Sequence, residues 1–186
     1  MKKWALAVAV CFVVMAGHAY AQVTPTTWSG PVSFSLKITF ADDIDDEIKL
    51  VSQTLFFSGT MELYAGEEGL VQKGDCYVRF LGFVEGVPAT FCLGNLAFVA
   101  SDTAKSKSEK FYLIGTGTFS TVIEGTPVEG ISYADGKGTV KEDKVSDDPI
   151  SLSVSGKLGG GFQQEQDGFV FGFVFSTSFK STLTAQ

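Results

Sequence analysis

Polar and apolar residues alternate with period two along most of this chain. In VSFSLKITF, Phe34, Leu36, Ile38 and Phe40 share one face, and Ser33, Ser35, Lys37 and Thr39 take the other. In TLFFSGTMEL the apolar face carries Leu55, Phe57, Gly59, Met61 and Leu63. Phe111, Leu113, Gly115, Gly117 and Phe119 repeat the pattern, as do Ile150, Leu152, Val154, Gly156 and Leu158. Side chains on opposite sides of an extended backbone give this period, so each segment predicts a half-buried β-strand.

Eight or nine strands are predicted, near 31–40, 52–64, 75–84, 89–99, 110–122, 128–134, 138–143, 150–158 and 168–183. Glu85 to Pro88 reads as a turn, and Asp135-Gly136 and Asp167-Gly168 read as two-residue hairpin turns. CYVRFLGFV and TFCLGNLAFV are apolar on both faces. The one helix candidate is DDIDDEIKLV, where Ile44, Ile48 and Val51 have helical spacing behind an acidic start.

Short connections between successive strands predict an all-β, single-domain antiparallel meander of eight or nine strands. A closed barrel is preferred to a two-layer sandwich, because several strands are long and glycines such as Gly59, Gly117 and Gly156 sit on apolar faces. Glycine within a strand marks a bend or a close approach by another group, and small barrels need such bends to close.

The densest run of rings is GFVFGFVFSTSF, Gly168 to Phe179. Phe169, Phe171, Phe173 and Phe175 alternate and point one way, with Phe179 two steps beyond. Rings opposite inward glycines form a size match, so this strand is expected at the centre of the core. With Phe57 and Phe119, these four phenylalanines are the candidate lining of a cavity for an apolar guest.

The first 21 residues change the charge balance. Lys2 and Lys3, an apolar run from Trp4 to Met15 and the small-x-small triplet Ala19-Tyr20-Ala21 read as a signal peptide. An uncleaved anchor is the alternative; the run is short for a membrane span. Cleavage leaves residues 22–186 as one domain, exported across the inner membrane to the periplasm or the exterior. It removes the sole histidine, His18, and moves the net charge from −7 to −9, since the two lysines leave and no acid does.

Without histidine, Ser-His-Asp and Cys-His catalysis and histidine-held metals are excluded. The acidic balance argues against a nucleic-acid partner. Cys76 and Cys92 enter an oxidising compartment and are expected to form a disulfide. The acids Asp42, Asp43, Asp45, Asp46 and Glu47 lack the glycine of a calcium loop and read as a solvated stretch. YADGKGTVKEDK fails the same test, with Tyr133, Lys137 and Lys144 at ligand positions. Glu62, Glu85 and Glu124 are available for a carboxylate pair, but no spacing selects two of them. Arg79 is the only arginine and receives no role.

No catalytic residue, metal site or cofactor is therefore assigned, and an enzyme is not expected. The leading expectation is an exported barrel that binds an apolar, lipid-like molecule in a Phe-lined interior. One alternative is a solid-cored structural or interaction module, its protein partner unspecified. Another is a small outer-membrane barrel, against which the chain has few Trp and Tyr for girdles and ends on TLTAQ rather than an aromatic. No transmembrane helix is expected.

Overall fold

The computed structural model describes residues 26–44, 47–66, 69–101, 110–123, 125–142, 149–166 and 169–186. The proposed signal peptide, the Asp167-Gly168 turn and Glu124 lie outside them. Nine strands follow in chain order: β1 (Thr26–Ile44), β2 (Glu47–Gly66), β3 (Gly69–Leu70), β4 (Val78–Val84), β5 (Val87–Ser101), β6 (Lys110–Ile123), β7 (Thr126–Glu142), β8 (Pro149–Gln166) and β9 (Phe169–Ala185). Eight of them form an antiparallel meander, and the pairing of β1 with both β2 and β9 closes it into a barrel. The two-residue β3 is additional and pairs only with the end of β2. The barrel expectation holds and the sandwich does not.

Alternation decides which face turns inward. Phe34, Leu36, Phe57, Met61, Phe80, Phe91, Leu113, Phe119, Phe175 and Phe179 are buried in one core. Ser33, Ser35, Lys37, Ser153, Lys157, Ser178 and Lys180, between such positions, are exposed. The interior is apolar and the outer wall largely polar. Two buried serines are exceptions, and each donates to a main-chain carbonyl: Ser132 Oγ to Thr118 O at 3.0 Å and Ser181 Oγ to Pro31 O at 2.9 Å. Burial without a partner would have cost each hydroxyl its hydration.

The interior fits because rings lie directly opposite glycines. Phe111 faces Gly138 and Phe119 faces Gly130 across the β6–β7 ladder. Phe175 faces Gly160 and Phe179 faces Gly156 across β8–β9. A Cβ at Gly138 would fall 2.0 Å from Phe111 Cζ, and one at Gly130 would fall 2.3 Å from Phe119 Cε1. The inner face of β7 is accordingly built from small residues (Gly130, Ser132, Ala134, Gly136 and Gly138) beneath the large residues of β6.

This packing explains two departures from expectation. Asp135-Gly136 is not a turn; β7 runs unbroken from Thr126 to Glu142, with Asp135 opposite Lys157 and Gly136 beneath Leu113. The glycine serves a close approach, and β7 replaces the two short strands predicted there. Likewise β8 continues through Gly159, Gly160 and Gly161, eight residues past its predicted end at 158. Gly159 lies under the outward Tyr133 ring and Gly160 under the inward Phe175 ring.

The helix expected at 42–51 does not form, and no helix occurs among the described residues. β1 and β2 extend through this region as a hairpin that pairs Ile44 with Glu47 and Phe40 with Val51. Pairing of the two strands in register satisfies main-chain groups that face each other across the hairpin, which the weak local helical spacing could not outweigh. The turn predicted over Glu85 to Pro88 shortens to Glu85 and Gly86, and Val87 and Pro88 are already paired in β5.

Gly138→Ala is expected to lower the unfolding free energy by about 1–3 kcal/mol through overpacking against a buried ring. Combining it with Phe111→Leu should recover part of that loss as favourable coupling in a double-mutant cycle. Equilibrium urea denaturation checks this; strictly additive losses would contradict direct ring-on-glycine packing.

Candidate functional site

One end of the barrel is solid and the other is hollow. At the end that carries both chain termini, Trp28, Leu63, Val78, Leu93 and Leu183 are buried together, and Gln186 N donates to Thr27 O at 2.9 Å. Toward the opposite end, where the β1–β2, β4–β5 and β6–β7 connections lie, a cavity of about 450 Å³ opens between the strands. That volume falls within the range of small-molecule sites.

Its floor is aromatic. Phe91, Phe119 and Phe175 form an edge-to-face cluster, with ring centroids 5.6 Å apart for Phe91–Phe175 and 5.1 Å for Phe119–Phe175. Phe173 adds a fourth wall 5.8 Å from Phe119. Leu36, Ile38, Leu55, Val84 and Ala89 rise around these rings. Among the described residues only three polar ones line the cavity, namely Gln53, Glu85 and Thr121. The Thr121 hydroxyl donates to Pro88 O at 3.0 Å, so its proton is committed to the wall.

Three of the six phenylalanines singled out from the sequence line this cavity: Phe119, Phe173 and Phe175. Phe57 does not. It is fully buried and stacks flat on Phe34 at 4.5 Å, which makes it part of the packing below the floor. The side chains of Phe169 and Phe171 lie outside the described residues, although the backbone there pairs with Gln166 and Gln164. The sequence reading missed Phe91, whose ring neighbours Phe34, Phe57, Phe80, Phe119 and Phe175. Its signal was present in the spacing of Ala89, Phe91 and Leu93, but the apolar outer neighbours of β4 and β5 masked it.

Those outer neighbours belong to a second, smaller assembly. Residues 69–77 fold back over the outside of the barrel wall. Cys76 is joined to Cys92 of β5 by a disulfide, with Cα atoms 5.4 Å apart. Tyr77 N donates to Leu93 O and Gln72 Nε2 to Gly94 O, both at 2.9 Å, where a bulge between Leu93 and Asn95 breaks the β5–β6 register. Under this flap Tyr64 is fully buried on the outer face of β2, with Lys73 Nζ 5.2 Å from its ring centre. The Tyr64 hydroxyl donates to Glu62 Oε2. Arg79 stands opposite Glu62 in the β2–β4 ladder and donates to Cys76 Sγ at 3.5 Å.

The two described candidate carboxylates, Glu62 and Glu85, do not form a pair, and Glu124 lies outside the described residues. Glu62 lies beneath the flap, occupied by Tyr64, and Glu85 stands at the hollow end. The side chains of Asp42, Asp43, Asp45, Asp46 and Glu47 lie outside the described residues. Among the described residues no cluster of three or more His, Cys, Asp and Glu side chains forms, and no helix is long and apolar enough to cross a membrane. No family model matches the sequence, and no curated protein does either.

Burial, the hydrogen bond to Glu62 and the Glu62 charge push the Tyr64 phenol up to about 12, against a smaller opposing pull from Arg79. A raised folded-state value means that the neutral phenol is favoured in the folded chain. Its contribution to stability is therefore complete below the ordinary tyrosine value near 10 and is lost as pH rises toward about 12. Denaturation midpoints measured from pH 9 upward should fall across that window in the wild type and flatten in Tyr64→Phe. An identical slope in both proteins would contradict the assignment.

Proposed function

We propose that this protein is an exported carrier or receptor for an apolar small molecule, held in the cavity above Phe91, Phe119 and Phe175. The single observation that carries the reading is a cavity of about 450 Å³ lined by aromatic and aliphatic side chains, with its few polar groups at the mouth. Eight-stranded barrels are wide enough inside to hold one small ligand. A cavity so lined gives water few hydrogen-bond partners, while an apolar guest gains contact with rings already fixed by their neighbours. The Cys76–Cys92 disulfide fits an oxidising compartment, in keeping with the export reading of residues 1–21.

The polarity of the wall speaks against the outer-membrane alternative. Such barrels turn apolar residues to lipid and polar ones to the lumen. Here most of the described phenylalanines face inward, Phe56 and Phe83 excepted, and Lys37, Lys157 and Lys180 stand on the outside at mid-strand.

A protein-interaction role draws support from a different surface. Val99, Tyr112, Ile114, Ile131 and Tyr133 are all more than half exposed on the outer faces of β5, β6 and β7. Contiguous exposed apolar surface of this kind commonly marks a contact site. Sedimentation of wild type beside Ile114→Asp tests it: a concentration-dependent larger species lost in the variant would favour this role, and identical monomers would remove its motivation.

The carrier reading predicts one saturable site for an alkyl-chain fluorescent probe, and organic extraction of the purified protein followed by mass spectrometry should recover a lipid-like molecule. Ile38→Trp, which places a large ring in the cavity, should weaken probe binding at least about tenfold while the strand-type circular dichroism persists. Equal binding by both proteins would remove the cavity from consideration.

A further inference from the structure

The mouth of the cavity carries a fixed negative charge, and its geometry sets it apart from the other turns. Glu85 and Gly86 form the two-residue β4–β5 turn with φ of 49° and 84°. Both values lie in the left-handed region, the pattern of a type I′ hairpin, which favours Asn, Asp or Gly. Glu85 is the only residue other than glycine with positive φ among the described residues. An ordinary side chain there is strained, and such strain persists where surrounding contacts impose it.

The contacts are specific. Glu85 N donates to Phe56 O at 3.1 Å, and Phe56 N donates to Glu85 Oε1 at 2.7 Å. The side chain is thus tied back to β2 by a short, charge-assisted bond, which holds its exposed carboxylate at the rim of the cavity. Among the described residues lining the cavity Glu85 is the only charged one. Gln53 can donate or accept at the same rim but carries no charge. The nearest lysine along β2, Lys49, stands farther out, opposite Asp42 in the β1–β2 ladder.

We propose that the guest is an amphiphile with an alkyl tail and a neutral or cationic head that donates hydrogen bonds, such as an amine or an alcohol, and that Glu85 selects it against a carboxylate head. This rests on the carrier reading above. The tail fills the space over the rings. The head meets the Glu85 carboxylate and the Gln53 amide, which together offer acceptors but no positive charge. A fatty-acid carboxylate would bring a second negative charge into the same rim, where the apolar wall screens it less than bulk water does.

The test compares three ligands with one twelve-carbon tail, namely dodecylammonium, dodecanol and dodecanoate, each below its micellar concentration and at neutral pH. Binding is measured by competition against the alkyl probe in wild type, Glu85→Gln and Ile38→Trp. Glu85→Gln keeps an oxygen to accept from Phe56 N and removes only the charge. Wild type should bind dodecylammonium and dodecanol at least about tenfold more tightly than dodecanoate, the scale expected of one nearby unit charge at a protein surface. In Glu85→Gln the gap between ammonium and carboxylate should shrink to about twofold.

Dodecanoate binding as tightly as dodecylammonium in wild type would overturn the proposal, and so would a gap unchanged by Glu85→Gln, which would trace it to the acidic protein as a whole. In either case blockade of all three ligands by Ile38→Trp would leave the carrier reading intact. Failure of every ligand to bind, or binding untouched by Ile38→Trp, would overturn the carrier reading and this proposal with it.

Discussion

Closure is the constraint on which the rest of the structure depends. When β1 pairs with both β2 and β9, the eight-stranded ladder closes on itself, and its interior is fixed at a width that side chains can just fill. Rings must then find room against a curved wall. They find it opposite glycine: Phe111 over Gly138, Phe119 over Gly130, Phe175 over Gly160 and Phe179 over Gly156. Each pair places one large and one absent side chain at the same level, so the summed volume across neighbouring strands stays near what the wall allows. The same glycines let the sheet bend. At Gly117 a Cβ would fall 1.8 Å from Cys92 O, closer than a real side chain could tolerate.

The filling is uneven along the barrel axis, and that unevenness creates the site. Near the termini, Trp28, Met61, Phe80 and the leucines of β2, β5 and β9 pack from all sides. Above them the rings of Phe91, Phe119 and Phe175 lock edge to face. Beyond this layer the described wall positions are Leu36, Ile38, Leu55, Val84 and Ala89, with Phe40 and Phe173 among them, and they surround the cavity rather than fill it. The aromatic layer is therefore both the top of the solid core and the floor of the cavity. A guest would rest on groups already immobilised by core packing, which lowers the ordering cost of binding.

The period of the sequence made the barrel legible, because inward and outward residues differ sharply wherever water touches the outer face. Legibility failed where that condition fails. On β4 and β5 the outer side is partly covered by residues 69–77, so the outward position at Cys92 is apolar too, and Phe91 was lost in a run that read as apolar throughout. It failed again at Gly136 and at Gly159 to Gly161, since one residue type serves both turns and close approaches, and only the partner strand distinguishes them. Phe57 and Phe119 share a pattern in sequence, yet one is packing and the other lining; their heights in the barrel depend on register, which no local window contains. Glu85 was visible as a turn residue, but its tie to Phe56 spans 29 positions.

The two ends of the barrel have opposite mechanical characters, and this bears on where binding can occur. At the closed end, the flap is held by a disulfide, by main-chain bonds at the Gly94 bulge and by the buried Tyr64. A bridge enclosing a loop of this size contributes on the order of 3 kcal/mol by restricting the unfolded chain. That end resists opening. At the hollow end the apolar inner faces of the described strands border the cavity. Apolar surface lining a cavity forgoes the dispersion contacts that a packed core would supply, so it is a standing cost to stability. A molecule that fills the space restores those contacts and binds the folded chain alone, which links its free concentration to stability. The solid half can thus carry the fold while the hollow half remains free to exchange a guest, and the charge at the rim acts on the part of that guest which the rings cannot read.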